Sequence, residues 1–414
     1  MKKFFLALLF PVLLSGCDYM GIGKTNNIVD LTQKIKVENA ENIKLTSSHH
    51  DIQLLPNRNI ESYNISKTNI IAVPAIAKSI VYSIDQKGYV TAFSLKEKTT
   101  LWSSKLVSSN TDHYNIGGIL YSNDKLYITN GSRELYIISA TTGERILSKL
   151  FPDIIQTKPI MLDDKTVLVQ TISNQLIAFD TEKLEVIWAN EGEIGMVSSR
   201  SHFSPFLANG YVITSYTSGE LFCSNPKNGE VKWVHSLSDQ APDLDLFGAL
   251  SPTVIATKPV IQDGYIYVAT SNARLMKIKI STGDIVWQKN IEDIQSMALS
   301  GNKLIITTNG RQVAILSIQN GKVNWVADLI NPAQKRSKLS ATLFQAPFVV
   351  NDNYNQQSLN IIASDGELYS FKFDERGELK TIAEVINITK GVINYWISCC
   401  DNKLYLFNDK TVNF

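Results

Sequence analysis

Few residues in this chain have the type and spacing to do chemistry, and the clearest is a thiol near its start. Cys17 follows Leu14, Ser15 and Gly16, at the end of an apolar run that begins at Phe4 behind Lys2 and Lys3. That run is about a dozen residues long. A helix crossing a hydrocarbon core needs ~20, so the segment reads as an export signal and not as a membrane span. The other cysteines are Cys223, Cys399 and Cys400. The adjacent pair sits at a strand turn, where cysteines serve as small buried apolar residues. The five histidines, His49, His50, His113, His202 and His235, show no paired metal-ligand spacing. There is no nucleophile elbow, phosphate loop, zinc motif or clear calcium-ligand pattern. The residues therefore point to anchoring and binding, with no metal, no cofactor and no catalytic group expected.

The stretch Leu14-Ser15-Gly16-Cys17 resembles the lipobox of bacterial lipoproteins. That resemblance implies cleavage of residues 1–16 as a signal peptide and lipidation at Cys17. The thiol takes the diacylglycerol, and small residues before it open the bond to the peptidase. Each buried CH₂ of an acyl chain supplies ~0.8 kcal/mol, and stable anchoring takes more than one chain. Residues 17–42 then read as a polar tether, with a short helix near its end as an alternative. Export permits disulfides, although so few cysteines do not build the fold.

Composition narrows the partners. At 44% hydrophobic and 19% charged the chain is globular, and its length leaves room for one large domain or two. Net charge is +1, with Lys and Arg spread along the sequence. Without a basic stripe, nucleic-acid binding has no electrostatic support.

The elements that must carry any binding site repeat. VITSYTSGELFCSNPKNGEVKWVHSL from Val212, IYVATSNARLMKIKISTGDIVWQKNI from Ile266 and LIITTNGRQVAILSIQNGKVNWVADL from Leu304 share one pattern. Two apolar runs flank a polar turn, and a second turn leads into a third run. The second run opens at Val90, Leu135, Leu176, Leu221, Leu275 and Val313. Eight residues later stand Lys98, Gly143, Leu184, Gly229, Gly283 and Gly321, and a seventh copy runs from Leu368 to Gly377. Four residues further come Trp102, Leu147, Trp188, Trp233, Trp287, Trp325 and Thr381. Runs of this kind bounded by Gly, Asn, Asp and Ser are hairpin strands. The glycines suit turns at positive φ, so the turns at Lys98 and Leu184 are expected to use another geometry. The tryptophans are assigned to packing between units.

A further strand precedes each unit, beginning after Pro74, Pro159, Pro205, Pro259 and Pro347, where a missing N–H does no harm. Each unit is thus four strands in roughly 38 to 56 residues, the period of a propeller blade. The second strand of a blade recurs near Val81, Leu126, Val167, Val212, Ile266, Leu304, Ile361 and Leu404. The last blade reaches only its third strand, at 411–414, before the chain stops. An open edge there invites unwanted pairing. A strand from 43–66 is expected to fill the gap, giving an all-β, eight-bladed propeller over 43–414.

The repeat resembles the PQQ-type propeller repeat, most closely in LIAFDTEKLEVIW and LMKIKISTGDIVW. With the lipobox and the blade count, the chain resembles the BamB family, the lipoprotein propellers of the bacterial outer-membrane β-barrel assembly machinery. The resemblance implies a scaffold without cofactor, docked on the periplasmic domains of BamA and aiding insertion of outer-membrane proteins. It places the anchor on the periplasmic face of the outer membrane. Asp18, directly after Cys17, matches the enteric signal for retention in the inner membrane, so both membranes stay open. Contact residues carried over are Arg200 and Val197 in MVSSRSHFSP, with Ser199 departing from the family pattern, and Asp243 and Asp245 in QAPDLDLFGALSP at a shifted register. These belong to long connectors, 238–258 among them, and 331–345 is another.

Two alternatives stand beside this reading. One is a propeller lipoprotein with a different envelope partner. The other is a quinoprotein dehydrogenase, a related family that holds PQQ and calcium and in some members stacks the quinone on a disulfide between adjacent cysteines. Cys399 and Cys400 lie in the last blade rather than an early one, and the chain is short for that family.

Overall fold

The computed structural model describes residues 40–47, 51–55, 61–106, 117–155, 157–192, 203–237, 254–330, 342–351, 357–374, 379–388, 395–398 and 404–413. Eight antiparallel blades stand in a ring, each a meander of four strands, A to D. In blade 1 these are Ala75–Ala77, Ile80–Ile84, Tyr89–Ser94 and Thr99–Lys105. The A strands converge on the ring axis. Val73 forms a parallel bridge to Gly118, and Gly117 to Thr157, linking blades 1, 2 and 3. The prolines expected at strand starts each stand directly before an A strand, as at Ile160–Met161, Phe206–Ala208 and Val260–Gln262.

Burial follows the distance of a strand from solvent. B and C strands are covered on both faces by neighbouring blades, so they read as continuous apolar runs. Thr166–Gln170 is buried throughout. The D strand Thr99–Lys105, at the rim, has no fully buried position. The apolar core is accordingly divided. Each hydrophobic cluster draws its residues from two consecutive blades, as Tyr82 and Ala92 meet Ile128 and Tyr136 between blades 1 and 2. With each buried Leu, Ile or Val contributing about 1.5–3 kcal/mol, it is the contact between sheets that holds the ring. Cys223 lies in such an interface, fully buried, and burial pushes its thiol up to about 12.

The tryptophans key one blade to the next. Trp102, Trp188, Trp233 and Trp287 project from D strands, and each indole N–H donates to a carbonyl at the C–D turn of the following blade. The acceptors are Ala140, Pro226, Ile280 and Ile318, at 2.8–3.1 Å. The glycine of that turn lies flat against the ring. A methyl group on Gly229 would sit 2.7 Å from Trp188, and one on Gly143 2.6 Å from Trp102. Trp325 meets blade 7 edge-on at Phe371, with ring centroids 5.2 Å apart.

The turns at Lys98 and Leu184 do not differ in geometry from the glycine turns. Their φ values are 58° and 61°, against 70–80° at Gly143, Gly229, Gly283 and Gly321. All six close with an N–H donated to the carbonyl four residues back. What differs is the preceding blade. Leu184 follows the blade whose slot holds Leu147, and Lys98 follows β3, described next, where Tyr63 meets its ammonium at 5.4 Å. Glycine is therefore demanded where an indole presses on the turn, and the backbone alone tolerates a side chain.

The N-terminal region supplies three strands, β1 (Glu41–Asn42), β2 (Asp51–Leu54) and β3 (Ser62–Asn64). β3 pairs antiparallel with Thr411–Asn413 and becomes the D strand of blade 8, closing the ring from within 43–66. Tyr63 faces Val412, which is fully buried. The other two were not anticipated. β1 lies parallel to the D strand of blade 5, Ile285–Asn290, with a Lys289–Glu41 ion pair at 2.6 Å. β2 lies parallel to the D strand of blade 7, Leu379–Asn387. Between them Ser47 donates to Asp328 of blade 6 at 2.6 Å. The chain thus forms a strap over the outer edges of blades 5 to 7 before it closes blade 8, and its contacts begin within the stretch expected to be tether.

Candidate functional site

In a meander, the B–C turns and the D-to-A connectors leave from the same face of the ring. On that face, blades 3 to 5 form a braced platform. Asn174, in the B–C turn of blade 3, is buried, with φ at 59°, a conformation Asn tolerates better than most residues. Its side-chain oxygen accepts from both the N–H and the hydroxyl of Thr217 in blade 4, at 3.1 and 3.0 Å. Its carbonyl accepts from Gly192 N–H at 3.0 Å. One residue therefore joins two turns and the end of a D strand. Gln170 adds a second brace, donating to Ser215 carbonyl at 2.8 Å.

The connector after blade 3 leaves from Gly192, which is glycine because of close approach. A Cβ there would lie 2.5 Å from the Tyr216 ring. Tyr216 is fully enclosed, stacks edge-on against Phe222 at 4.8 Å, and has its hydroxyl pKa pushed far up by burial and, less, by the charges of Glu220 and Glu191. The connector rejoins the ring at Phe203, packed on the blade 4–5 cluster. The next connector is held in the same way. It leaves from Leu237, fully buried with its N–H on Gly219 carbonyl, and rejoins at Val254 and Ile255, where Ile255 bridges Thr270. The described ends of the two connectors are thus each fixed to the ring, on the same face.

Arg200 and Val197 fall within the first connector, and Asp243 and Asp245 within the second. All four lie outside the described residues, as do Cys17, Asp18, Cys399 and Cys400. The structure brings together the bases of the two connectors. Their anchors, Asn174, Gly192 and Tyr216, carried no signal in the sequence beyond a polar turn and a lone glycine. Among the described residues, no group of three or more His, Cys, Asp and Glu side chains is placed to hold a metal. The platform offers shape and a set of fixed contacts between blades.

An eight-bladed ring of four-stranded antiparallel units defines a β-propeller. A profile of the family described as outer membrane protein assembly factor BamB matches residues 86–327 and 255–393, and the chain belongs to that family. It is 39% identical to an uncharacterized protein of Rickettsia prowazekii over 418 aligned positions, covering 100% of this chain and 99% of that one. It is 23% identical to outer membrane protein assembly factor BamB of Escherichia coli, over 68% of this chain and 71% of that protein. The crystal structure of BamB from Moraxella catarrhalis superposes with a TM-score of 0.67 at 16% identity, covering 86% of this chain and 98% of that one, a likeness of fold.

Proposed function

We propose that the protein is a non-catalytic scaffold lipoprotein of the outer-membrane protein assembly machinery. In this reading Cys17 carries the lipid and holds the ring at the periplasmic face of the outer membrane. The connectors of blades 3 to 5 dock on the periplasmic domains of BamA, with Arg200, Val197, Asp243 and Asp245 as contacts. No cofactor is needed. The observation that carries the reading is the family match across 86–393. The braced platform under the two connectors supports it, because a docking loop on fixed ends loses less freedom on binding.

The test is recovery of BamA with the tagged, detergent-solubilised lipoprotein, and loss of that recovery in Arg200→Ala with the fold intact. Recovery of a different envelope protein in place of BamA would favour the second reading, a propeller lipoprotein with another partner. Stoichiometric quinone and calcium in the purified protein would refute the scaffold reading. Cys17→Ser is expected to release the protein from membranes, and fractionation of wild type beside Asp18→Ser identifies the membrane.

A further inference from the structure

Two lysines on the inner strands remain without a role. The sequence Thr-Lys-Pro occurs twice, at 157–159 and 257–259, each time directly before an A strand. The structural register is the same in both. Ile155 bridges Thr171 and Ile255 bridges Thr270, so Lys158 and Lys258 each stand three residues past an equivalent bridge. Val73 occupies that position in blade 1, three residues past the Ile70 bridge to Asp85, and is 37% exposed. The position therefore opens toward the ring axis. Strand alternation agrees, since Thr157 and Thr257, one residue earlier, are buried in the ring.

The two lysines flank the inner strand of blade 4, whose equivalent residue before Pro205 is Ser204. The stem of Lys158 packs on Gly118 of blade 2, where a Cβ would lie 2.6 Å from the lysine Cβ. Burial lowers the Lys158 pKa, and the charge of Lys258 lowers it further. Lys258 stands at the same register two blades further on, so the two lysines face each other across the inner strand of blade 4. Among the described residues neither has a carboxylate or hydrogen-bond partner. Like charges placed together in a half-enclosed site repel, and an oxyanion between them removes the repulsion and gains two charge-assisted hydrogen bonds.

We propose that Lys158 and Lys258, with Ser204 between them, form an oxyanion-binding site at the axial mouth of the ring, on the face that carries the connectors. The ligand is a carboxylate or phosphate group small or slender enough to enter the opening. The site goes beyond the docking function and stands without it, because it uses the inner strands and not the connectors.

The experiment is calorimetric titration of the full lipidated chain in detergent, at low salt, with two probes. Inorganic pyrophosphate represents the phosphate source and a triglutamate peptide the carboxylate source. At least one probe is expected to bind, and Lys258→Gln to weaken it about tenfold or more. Lys158→Gln is expected to do the same, while Lys258→Arg retains binding and Lys232→Gln, on the outer D strand of blade 4, leaves it unchanged. The probe that binds identifies the source. Lys258 is exposed, so its variant keeps the fold and its result stands even if Lys158→Gln destabilises the ring. Binding of neither probe at about 10 mM, or equal affinity in wild type and Lys258→Gln, would overturn the proposal.

Discussion

The fit between Trp188 and Gly229 makes a sharp quantitative prediction. A methyl group on Gly229 would lie 2.7 Å from two indole carbons, where ordinary carbon contacts are about 3.5–4.0 Å. The ring or the turn must shift by nearly an ångström. Overpacking of this kind costs about 1–3 kcal/mol. The left-handed turn, with φ at 72°, adds about 1–2 kcal/mol for any residue with a Cβ. Gly229→Ala is therefore expected to destabilise the protein by about 2–5 kcal/mol. Blade 3 shows how nature relaxes the constraint, because Leu147 and Leu184 occupy the two slots where other interfaces have Trp and Gly. In a Trp188→Leu background the contact is gone and only the backbone penalty remains. The cost of Gly229→Ala should fall to about 1–2 kcal/mol there, a coupling of about 1–3 kcal/mol. Urea unfolding of wild type, both single variants and the double variant measures it. An equal penalty in both backgrounds would refute the claim that the indole demands the glycine. Leu184→Gly serves as the control and should move stability by less than about 1 kcal/mol, since relief of backbone strain offsets the added freedom of the unfolded chain.

Three further outcomes follow from particular contacts. Burial lowers the pKa of His235, whose Nε2–H donates to Gly283 carbonyl while Nδ1 has no partner among the described residues. The unfolded chain then takes up the proton first, so stability from this site is complete above about 6.5 and is lost as pH falls below it. His235→Phe should flatten the pH dependence of the unfolding midpoint in that range. Val412→Asp places an unpaired carboxylate in the closure of blade 8 and should cost about 3 kcal/mol or more, read as a lower melting temperature and faster proteolysis. Asn174→Gly keeps the turn conformation but strips Thr217 of its acceptor. Denaturant titration should show a loss of about 1–3 kcal/mol.

Much of this architecture was legible because each blade repeats the same physics. B strands covered on both faces must be apolar throughout, and a proline fits only where an A strand begins, so Val81 to Leu404 and Pro74 to Pro347 marked the ring directly. The missing fourth strand of the last blade pointed to β3. The turns at Lys98 and Leu184 depart from expectation because backbone conformation alone does not demand glycine there. Its cause lies one blade earlier, at the indole, and the loss of Trp at slot 147 paired with the loss of Gly at 184 was the available clue. β1 and β2 left no signature. They are two and four residues long, Glu41 and Asn42 are polar, and their partners lie more than 240 positions away. Lys158 and Lys258 were hidden inside a motif read only for its proline. The platform under the connectors depends on Asn174 and Gly192, whose roles appear only when neighbouring blades are brought together.

The strap also sets a path for mechanical load. Any force on residues before Glu41 reaches the outer edge of blade 5 first, through the parallel pair of β1 with its D strand. What passes that point meets the Ser47 contact on blade 6 and then the longer parallel pair on blade 7. β3, the seal of the ring, is the last element to feel the pull. A ring closed by its N-terminal strand would otherwise be most vulnerable to force on that end, and the edge strands move that strain away from the seam.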